Sequence, residues 1–285
     1  MSVIGIASGK GGTGKTTIST NAAWIIGSVK GYTGKIAYLE LDLDVSNART
    51  LLGAKIPRET VPLDVYITDP SVRPEETAVL YDDRMYVAVG SFAKSDLDLG
   101  QAVVRLKELI DFLQDTVGVK LIILDFPAGT RGFALTGLPL VDAIYMVTAP
   151  LANEVVGTAQ AYSKYRKYIE NAGLNVEMKG LILNRVGAQT TELTKEAITK
   201  NTGIPVVATV RYTRELGEAQ KQGIPYARLK WGTDDPTLMD LIRVACKIIG
   251  REVSYKPLKK KGDHPKMPAP MIKSLLSILK KKVKR

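Results

Sequence analysis

A glycine-rich run near the start of the chain constrains its fold more than any other feature. The run is Gly9-Lys10-Gly11-Gly12-Thr13-Gly14-Lys15-Thr16-Thr17. It contains the phosphate-loop pattern G-x-x-x-x-G-K-[ST], between an apolar segment at 3–7 and a helix-like segment at 17–29. Glycines let the backbone adopt positive φ, so that successive N–H groups surround an anion. The pattern therefore predicts a phosphate-binding turn between a β-strand and an α-helix.

Three side chains of this run carry the expected chemistry. Lys15 is expected to neutralise the β- and γ-phosphates of a nucleotide, and the Thr16 hydroxyl to ligate Mg²⁺. Lys10 is an additional lysine at the second position of the pattern. The residues predicted to bind the nucleotide are all nine of the run: Gly9, Lys10, Gly11, Gly12, Thr13, Gly14, Lys15, Thr16 and Thr17.

Two later carboxylate groups follow apolar segments and suit a metal site. Asp42 and Asp44 are two residues apart at the end of a strand-like segment, 36–41. Residues i and i+2 of a strand face the same side, so both carboxylates are expected at one metal–phosphate site. Asp125 ends a run of aliphatic residues, where burial of a carboxylate is costly without a cation. We expect Mg²⁺ to be that cation.

The segment Lys10 to Thr16 resembles the deviant Walker A motif of the MinD/ParA/Mrp family of P-loop ATPases, and of its MinD-like members in particular. Four later segments resemble the family's motifs in the same order, so that the resemblance covers roughly residues 1–225. They are switch I at 40–47, Walker B and switch II at 121–129, a strand ending in an asparagine at 180–185, and the last strand and helix at 204–225. The resemblance implies a Mg²⁺-dependent enzyme that hydrolyses ATP to ADP and phosphate.

The resemblance also implies roles for individual residues. The ATP-bound protein is expected to be a homodimer, in which Lys10 reaches the partner's nucleotide and acts with Lys15 in catalysis. Asp44 is expected to position the attacking water. Asp42, Asp125 and Thr16 are expected to organise Mg²⁺, and Asn184 and Arg211 are expected to contact adenine.

The rest of the chain predicts a single α/β domain over residues 1–250. Aliphatic runs typical of strands alternate with helix-length segments, which indicates a mainly parallel, doubly wound sheet of the P-loop NTPase type. The nucleotide is then expected at the carboxyl ends of the strands. The strand-like runs are 3–7, 36–41, 85–89, 121–124, 143–148, 180–183 and 206–210, and the later helical segments are 97–116, 153–171, 191–201 and 237–249.

Positive charge is concentrated at the C-terminus. The whole chain has a formal net charge of +11, of which residues 251–285 carry +10. Lysine and proline predict a linker over 251–270. Residues 271–285 predict a basic amphipathic helix. The apolar residues of this helix are Met271, Ile272, Leu275, Leu276, Ile278, Leu279 and Val283.

A basic amphipathic helix on a tether favours reversible attachment to an anionic membrane surface. Three alternatives stay open: nucleic-acid binding by the lysines, docking on a protein partner or on the domain itself, and a solvated charge run. The N-terminus runs directly into a strand and no run of about 18 apolar residues occurs, so we expect a cytoplasmic protein, peripheral at the inner face of the cell membrane.

Cysteine content restricts the function further. Cys246 is the only cysteine, so the chain cannot supply the paired cysteines of an iron–sulfur scaffold. The leading hypothesis is a MinD-like ATPase that switches between monomer and dimer, and that positions a cellular structure together with an unknown regulatory protein. The alternatives are a ParA-type DNA-partitioning ATPase that binds nucleic acid, and a low-turnover ATP-binding regulatory or scaffold protein.

Overall fold

Strands and helices alternate along almost the whole of the chain that the structure describes. The structure is a computed structural model, and it describes residues 1–43, 47–53, 55–91 and 98–257. The strands are β1 Ser2–Ser8, β2 Lys35–Glu40, β3 Val79–Asp82, β4 Met85–Ala88, β5 Val119–Ala128, β6 Ala143–Thr148, β7 Glu177–Val186 and β8 Val206–Arg211.

The helices connect these strands on both faces of the sheet. A π-helical turn, Phe112–Thr116, and a 3-10 turn, Leu138–Leu140, supplement them. The α-helices are α1 Lys15–Ser28, α2 Ala48–Leu52, α3 Leu63–Thr68, α4 Pro74–Thr77, α5 Leu99–Asp111, α6 Phe133–Thr136, α7 Ala152–Asn171, α8 Lys195–Thr202, α9 Glu215–Lys221, α10 Tyr226–Leu229 and α11 Pro236–Ile249.

The strands form one sheet in the order β3-β4-β2-β5-β1-β6-β7-β8. All neighbouring pairs are parallel except β3 and β4. The first strand therefore lies in the middle, between β5 and β6, and the strand order reverses on either side of it. In such a sheet the reversal leaves a crevice at the carboxyl ends of the strands. The loop that follows β1 lies at this crevice.

Alternating side chains of the central strand enter two separate cores. Val3 and Ala7 pack with α5 and α7 on one face, whereas Ile4 and Ile6 pack with α1 and α11 on the other. This separation follows from the two-residue period of a strand. Every residue of β6 is buried. The aliphatic runs of the sequence therefore mark strands that are covered on both faces.

The predicted fold class is confirmed, and each of the seven predicted strand-like runs corresponds to a strand. The eighth strand, β3, was not predicted, because only Tyr81 of its four residues is buried and its aliphatic residues are limited to Val79 and Leu80. Helices α3 and α4, with six and four residues, are too short to show a helical period. All three elements lie within residues 54–84, between the motifs of the resemblance at 40–47 and 121–129.

The body of the domain continues to Tyr255, and residues Met1–Tyr255 form one compact unit. The ring of Tyr255 packs 5.0 Å from that of Trp231, and its hydroxyl donates to the Thr233 carbonyl at 2.6 Å. The predicted linker is described only as far as Pro257, and the predicted helix at 271–285 lies outside the described residues. In the part of the chain that is described, no helix has the length and apolarity needed to cross a bilayer.

One buried amide joins the helix after the glycine run to the C-terminal part of the domain. The Asn21 side chain donates to the Thr17 carbonyl at 2.7 Å and accepts the Ala227 N–H at 2.7 Å. Asn21 is 1% exposed, so water cannot replace these partners when the amide is removed.

We expect Asn21→Ala to lower the free energy of unfolding by about 1–3 kcal/mol, because it leaves the buried Ala227 N–H without an acceptor. Urea denaturation followed by circular dichroism measures this loss. Asn201→Ala is the matched control, since Asn201 is an exposed asparagine in α8. Equal stabilities of the two variants would contradict this role of Asn21.

Candidate functional site

The glycine run forms a loop between β1 and α1 that is closely packed against its surroundings. Gly14 has a φ of 88°, which favours glycine, and a Cβ at this position would lie 2.1 Å from Nδ2 of Asn184. A Cβ on Gly9 would lie 2.5 Å from the Gly157 carbonyl in α7. No side chain caps the start of α1. The positive end of this helix is therefore open to an anion.

Two adjoining cavities surround this loop. The first, which we call the loop cavity, has a volume of about 390 Å³ and is lined by residues 11–17 together with Asp42 and Arg185. The second, the side cavity, has a volume of about 610 Å³ and is lined by Asn184, Arg185 and residues 212–214. Gly14, Thr17, Arg185 and Gln220 line both cavities. The two cavities suit a ligand with a phosphate end and a larger, less charged end.

A buried ammonium group lies between two carboxylates at the base of the loop cavity. Nζ of Lys15 is 3.1 Å from Oδ2 of Asp42 and 3.5 Å from Oδ1 of Asp125. Lys15 is 6% exposed and Asp125 is fully buried. Burial lowers the pKa of Lys15, but the charges of Asp125 and Asp42 raise it by more, so the pKa lies above its ordinary value. Lys15 is therefore a charged group at neutral pH.

Asp125 receives a second partner from the neighbouring strand. The Tyr38 hydroxyl in β2 donates to Oδ2 of Asp125 at 2.9 Å. Burial, followed by the Asp125 charge, raises the pKa of Tyr38 well above its ordinary value, so the hydroxyl stays protonated as a donor. Tyr38 was not identified from the sequence, because its position within an aliphatic strand indicates only a core residue.

The expected metal ligands lie together in the structure. Asp42 and Asp125 flank the Lys15 ammonium, and the Thr16 hydroxyl interacts with Asp125. Burial raises the pKa of Asp125 above its ordinary value, although the Lys15 charge and the Thr16 hydroxyl act to lower it. Oδ1 of Asp125 is buried, and the Lys15 ammonium lies 3.5 Å from it. This set of two carboxylates and one hydroxyl suits Mg²⁺, which usually keeps several waters and takes phosphate oxygens as further ligands.

The switch I segment is described only in part. Asp44 lies outside the described residues, so its predicted role stays a prediction. At the end of β2, the described carboxylates two residues apart are Glu40 and Asp42. Glu40 is fully buried and accepts the N–H groups of Ala48 at 2.9 Å and Gly90 at 3.1 Å. Its position at the end of an aliphatic strand was the available signal for a buried structural carboxylate.

The two residues expected to contact adenine have different surroundings. Nδ2 of Asn184 donates to the Thr13 carbonyl at 2.8 Å, while its buried Oδ1 has no hydrogen-bond partner. Asn184 lines the side cavity, whereas Arg211 lines neither cavity and pairs with Asp240 at 2.7 Å. Arg185, which the sequence did not identify as a site residue, lines both cavities and has a φ of 61°.

Lys10 is exposed on the outer side of the loop. Its aliphatic stem lies against α7, where a Cβ on Gly157 would be 3.1 Å from Cε of Lys10. Within the described residues, the Lys10 ammonium makes no ion pair. The structure therefore brings Lys15, Thr16, Asp42 and Asp125 into one cluster and leaves Lys10 at the surface beside it.

Comparison with known proteins agrees with this geometry. The chain is 26% identical to an uncharacterized ATP-binding protein of Methanocaldococcus jannaschii over 90% of this chain and 91% of that protein. It is also 26% identical to the septum site-determining protein MinD of Thermotoga maritima, over 78% of this chain and 80% of that protein. The curated relatives are thus matched over most of their length.

Solved structures give the same result. The cell division ATPase MinD of Pyrococcus furiosus is similar with a TM-score of 0.70 and 25% identity, over 87% of this chain and 98% of that one. MinD of Pyrococcus horikoshii, solved as its Mg-ADP complex, has a TM-score of 0.70 and 24% identity, over 87% and 95%. Residues 4–226 match the family model described as the CobQ/CobB/MinD/ParA nucleotide binding domain. The chain belongs to this family of nucleotide-binding domains.

Proposed function

We propose that the protein is a MinD-like, Mg²⁺-dependent ATPase. The observation that carries the proposal is the buried cluster of Lys15, Asp42 and Asp125 beneath the glycine loop. An ammonium held between carboxylates is ready to exchange part of that pairing for phosphate oxygens and Mg²⁺. Relatives described as ATP-binding, and a MinD structure that contains Mg-ADP, support this choice of ligand.

The nucleotide is proposed to occupy both cavities. Its phosphates would face the loop amides, the start of α1 and Lys15, while Thr16, Asp42 and Asp125 would hold Mg²⁺. Mg²⁺ would supply charge neutralisation of the β- and γ-phosphates. The base would enter the side cavity, where the unpartnered Oδ1 of Asn184 is suited to accept a hydrogen bond from an exocyclic amino group.

Catalysis is proposed to need a second subunit. Lys10, which is exposed beside the loop, would enter the site of a partner chain and neutralise developing charge there in the manner of an arginine finger. Asp44 is proposed to position the water. Asp42 is a second candidate for that task, because it lies on the wall of the loop cavity.

Dimerisation would control attachment to a surface. The predicted helix at 271–285 combines apolar residues with lysines, and two such helices in a dimer bind more tightly than one. We infer a peripheral protein at the inner face of the cell membrane that positions a cellular structure with a regulatory partner. Two similar structures, described as a cell division ATPase and as a MinC:MinD cell division protein complex, support the inferred role in positioning and the inferred protein partner.

A specific observation also favours the DNA-partitioning alternative. The +10 charge of residues 251–285 suits nucleic acid as well as anionic lipid. The apolar stripe of the predicted helix is not needed for DNA binding, and for this reason we rank the membrane first.

The two lysines are expected to differ in their effects. Lys15→Gln should weaken MgATP binding about 10- to 100-fold, because charge-assisted bonds to phosphate are lost. Lys10→Ala should retain binding but lower turnover, by on the order of 1,000-fold if it acts as a finger in trans. Calorimetric titration, phosphate release and light scattering with a non-hydrolysable analogue measure binding, turnover and dimerisation.

Lys30→Ala is the control for this pair, since Lys30 is an exposed lysine outside the site. Because Lys15→Gln leaves two carboxylates without their cation, circular dichroism must confirm that the variant folds. If Lys15→Gln does not fold, Thr16→Val tests the same site and keeps the lysine. Wild-type turnover in Lys10→Ala would exclude the action in trans.

Exchange of the two switch I carboxylates for amides separates their tasks. Asp44→Asn should retain MgATP binding and lose turnover, because the water is no longer positioned. Asp42→Asn should raise the Mg²⁺ concentration needed for half-maximal binding, because a carboxylate ligand is lost. Titration of Mg²⁺ at fixed ATP, with turnover measured in parallel, gives both quantities. Loss of turnover in Asp42→Asn at an unchanged Mg²⁺ requirement would instead assign the water to Asp42.

Removal of residues 271–285 should abolish sedimentation with anionic vesicles in the presence of MgATP and leave ATP binding intact. The double variant Leu275→Ser, Leu279→Ser keeps every basic residue and should also lose vesicle binding, because it removes apolar area. A gel shift with double-stranded DNA is run in parallel. Unchanged vesicle binding together with lost DNA binding in the truncated chain would support the DNA-partitioning alternative.

A further inference from the structure

The last strand of the sheet carries a groove that shares no lining residue with the two cavities around the glycine loop. In the sheet of the described residues, β8 pairs with β7 on one side and has no strand on the other. Val207, Ala208 and Thr209 in its middle are partly or fully exposed, unlike β6, which is buried throughout. A cavity of about 680 Å³ runs along this edge, between β8, the start of α8 and the end of α11.

Cations face this groove from both sides of the sheet. Lys195 comes from the start of α8, and Arg243 and Lys247 come from successive turns of α11, with Arg251 just beyond. Glu252 is the only acidic side chain among the residues that line the groove. The groove therefore has a strong positive charge, next to a strand whose lining side chains are uncharged.

Two of these cations, Lys195 and Lys247, lack a charged partner among the described residues. Arg243 pairs with Asp240, and Arg251 stacks over the Tyr32 ring. Over the described ranges, Lys195 and Lys247 make no ion pair. Lys247 suits the negative end of α11, but Lys195 is the first residue of α8, where the helix dipole disfavours a cation. An anionic group in the groove would offset this unfavourable effect.

A carboxylate of the domain already occupies the far end of the same edge. Asp240 accepts the backbone N–H of Arg211 at 3.2 Å and pairs with the guanidinium groups of Arg211 and Arg243. A backbone N–H group and the neighbouring guanidinium groups thus bind the same carboxylate. The open stretch at 207–209 offers strand backbone beside Lys195 and Lys247 in the same way.

We propose that this groove binds an extended acidic segment of another protein, which adds to the sheet along the free edge of β8. Backbone hydrogen bonds to β8 would supply affinity, and glutamate or aspartate side chains would pair with Lys195 and Lys247. Lysines on a strand itself often serve to block edge pairing. Here the cations come from the adjacent helices, and the lining residues of β8 are Val207, Ala208 and Thr209.

Charge favours an acidic partner segment over two other occupants, which are the C-terminal segment of the chain and a second copy of the same edge. Residues 253–285, which follow the last residue lining the groove, carry a net charge of +10, so charge disfavours this segment as the occupant. A second copy of this edge is disfavoured for the same reason, because its cations would face those of the first. An acidic partner segment gains from both the charges and the backbone.

The test uses the full chain and a fluorescent peptide of alternating glutamate and valine. Fluorescence anisotropy should show binding, and the charge reversals Lys195→Glu with Lys247→Glu should weaken it about tenfold or more. Lys200→Glu is the matched control, because Lys200 is exposed at the other end of α8 and does not line the groove. A peptide with the same side chains but N-methylated at alternate residues should bind much more weakly, since it cannot pair with a strand.

Hydrogen exchange locates the bound peptide. The proposal requires slower exchange of amides in β8 when the peptide is present. Equal binding by the double charge-reversal variant and the Lys200→Glu control, or by the methylated and unmethylated peptides, would overturn it, since either result indicates charge attraction alone. The same conclusion would follow if a single-stranded DNA oligonucleotide displaced the peptide while exchange in β8 remained unchanged.

Discussion

The buried pairing of Lys15 with Asp42 and Asp125 is the interaction on which the rest of the site depends. The two carboxylates come from the ends of β2 and β5, and the lysine begins α1, so one ion cluster fixes three elements around the crevice. Removing one member of such a buried cluster leaves an uncompensated charge, which typically destabilises a protein by about 3–5 kcal/mol. The same cluster keeps an ammonium beside the loop amides, which suits the binding of a phosphate.

The fold supplies the remaining constraints on that cluster. Because β1 lies between β5 and β6, its following loop opens into the place where the strand order reverses. The close contacts of Gly9 with Gly157 and of Gly14 with Asn184 leave no space for side chains. The loop is thus held against α7 on one side and β7 on the other, and its amides are set before any ligand arrives.

Most of this arrangement was predictable from sequence because its signals are local. The glycine pattern, the aliphatic runs and the acidic residues that follow them identified the sheet, the loop, Lys15, Asp42 and Asp125. Glu40, Tyr38 and Arg185 were missed, because their roles depend on which strands become neighbours and on a local backbone conformation. We expected Mg²⁺ to be the cation that compensates the buried charge of Asp125. The structure shows that the Lys15 ammonium also lies beside this carboxylate. Short elements such as β3 carry too few buried residues to leave a pattern.

Glu40 couples the motion of two backbone segments, in addition to stabilising the fold. One carboxylate holds the N–H of Ala48, at the start of α2, and the N–H of Gly90, just after β4. A hydrogen bond to a charged group contributes about 1.5–3 kcal/mol, so neither backbone segment separates from the other without losing that energy. A shift of α2 is therefore passed to the segment after β4 through a single side chain.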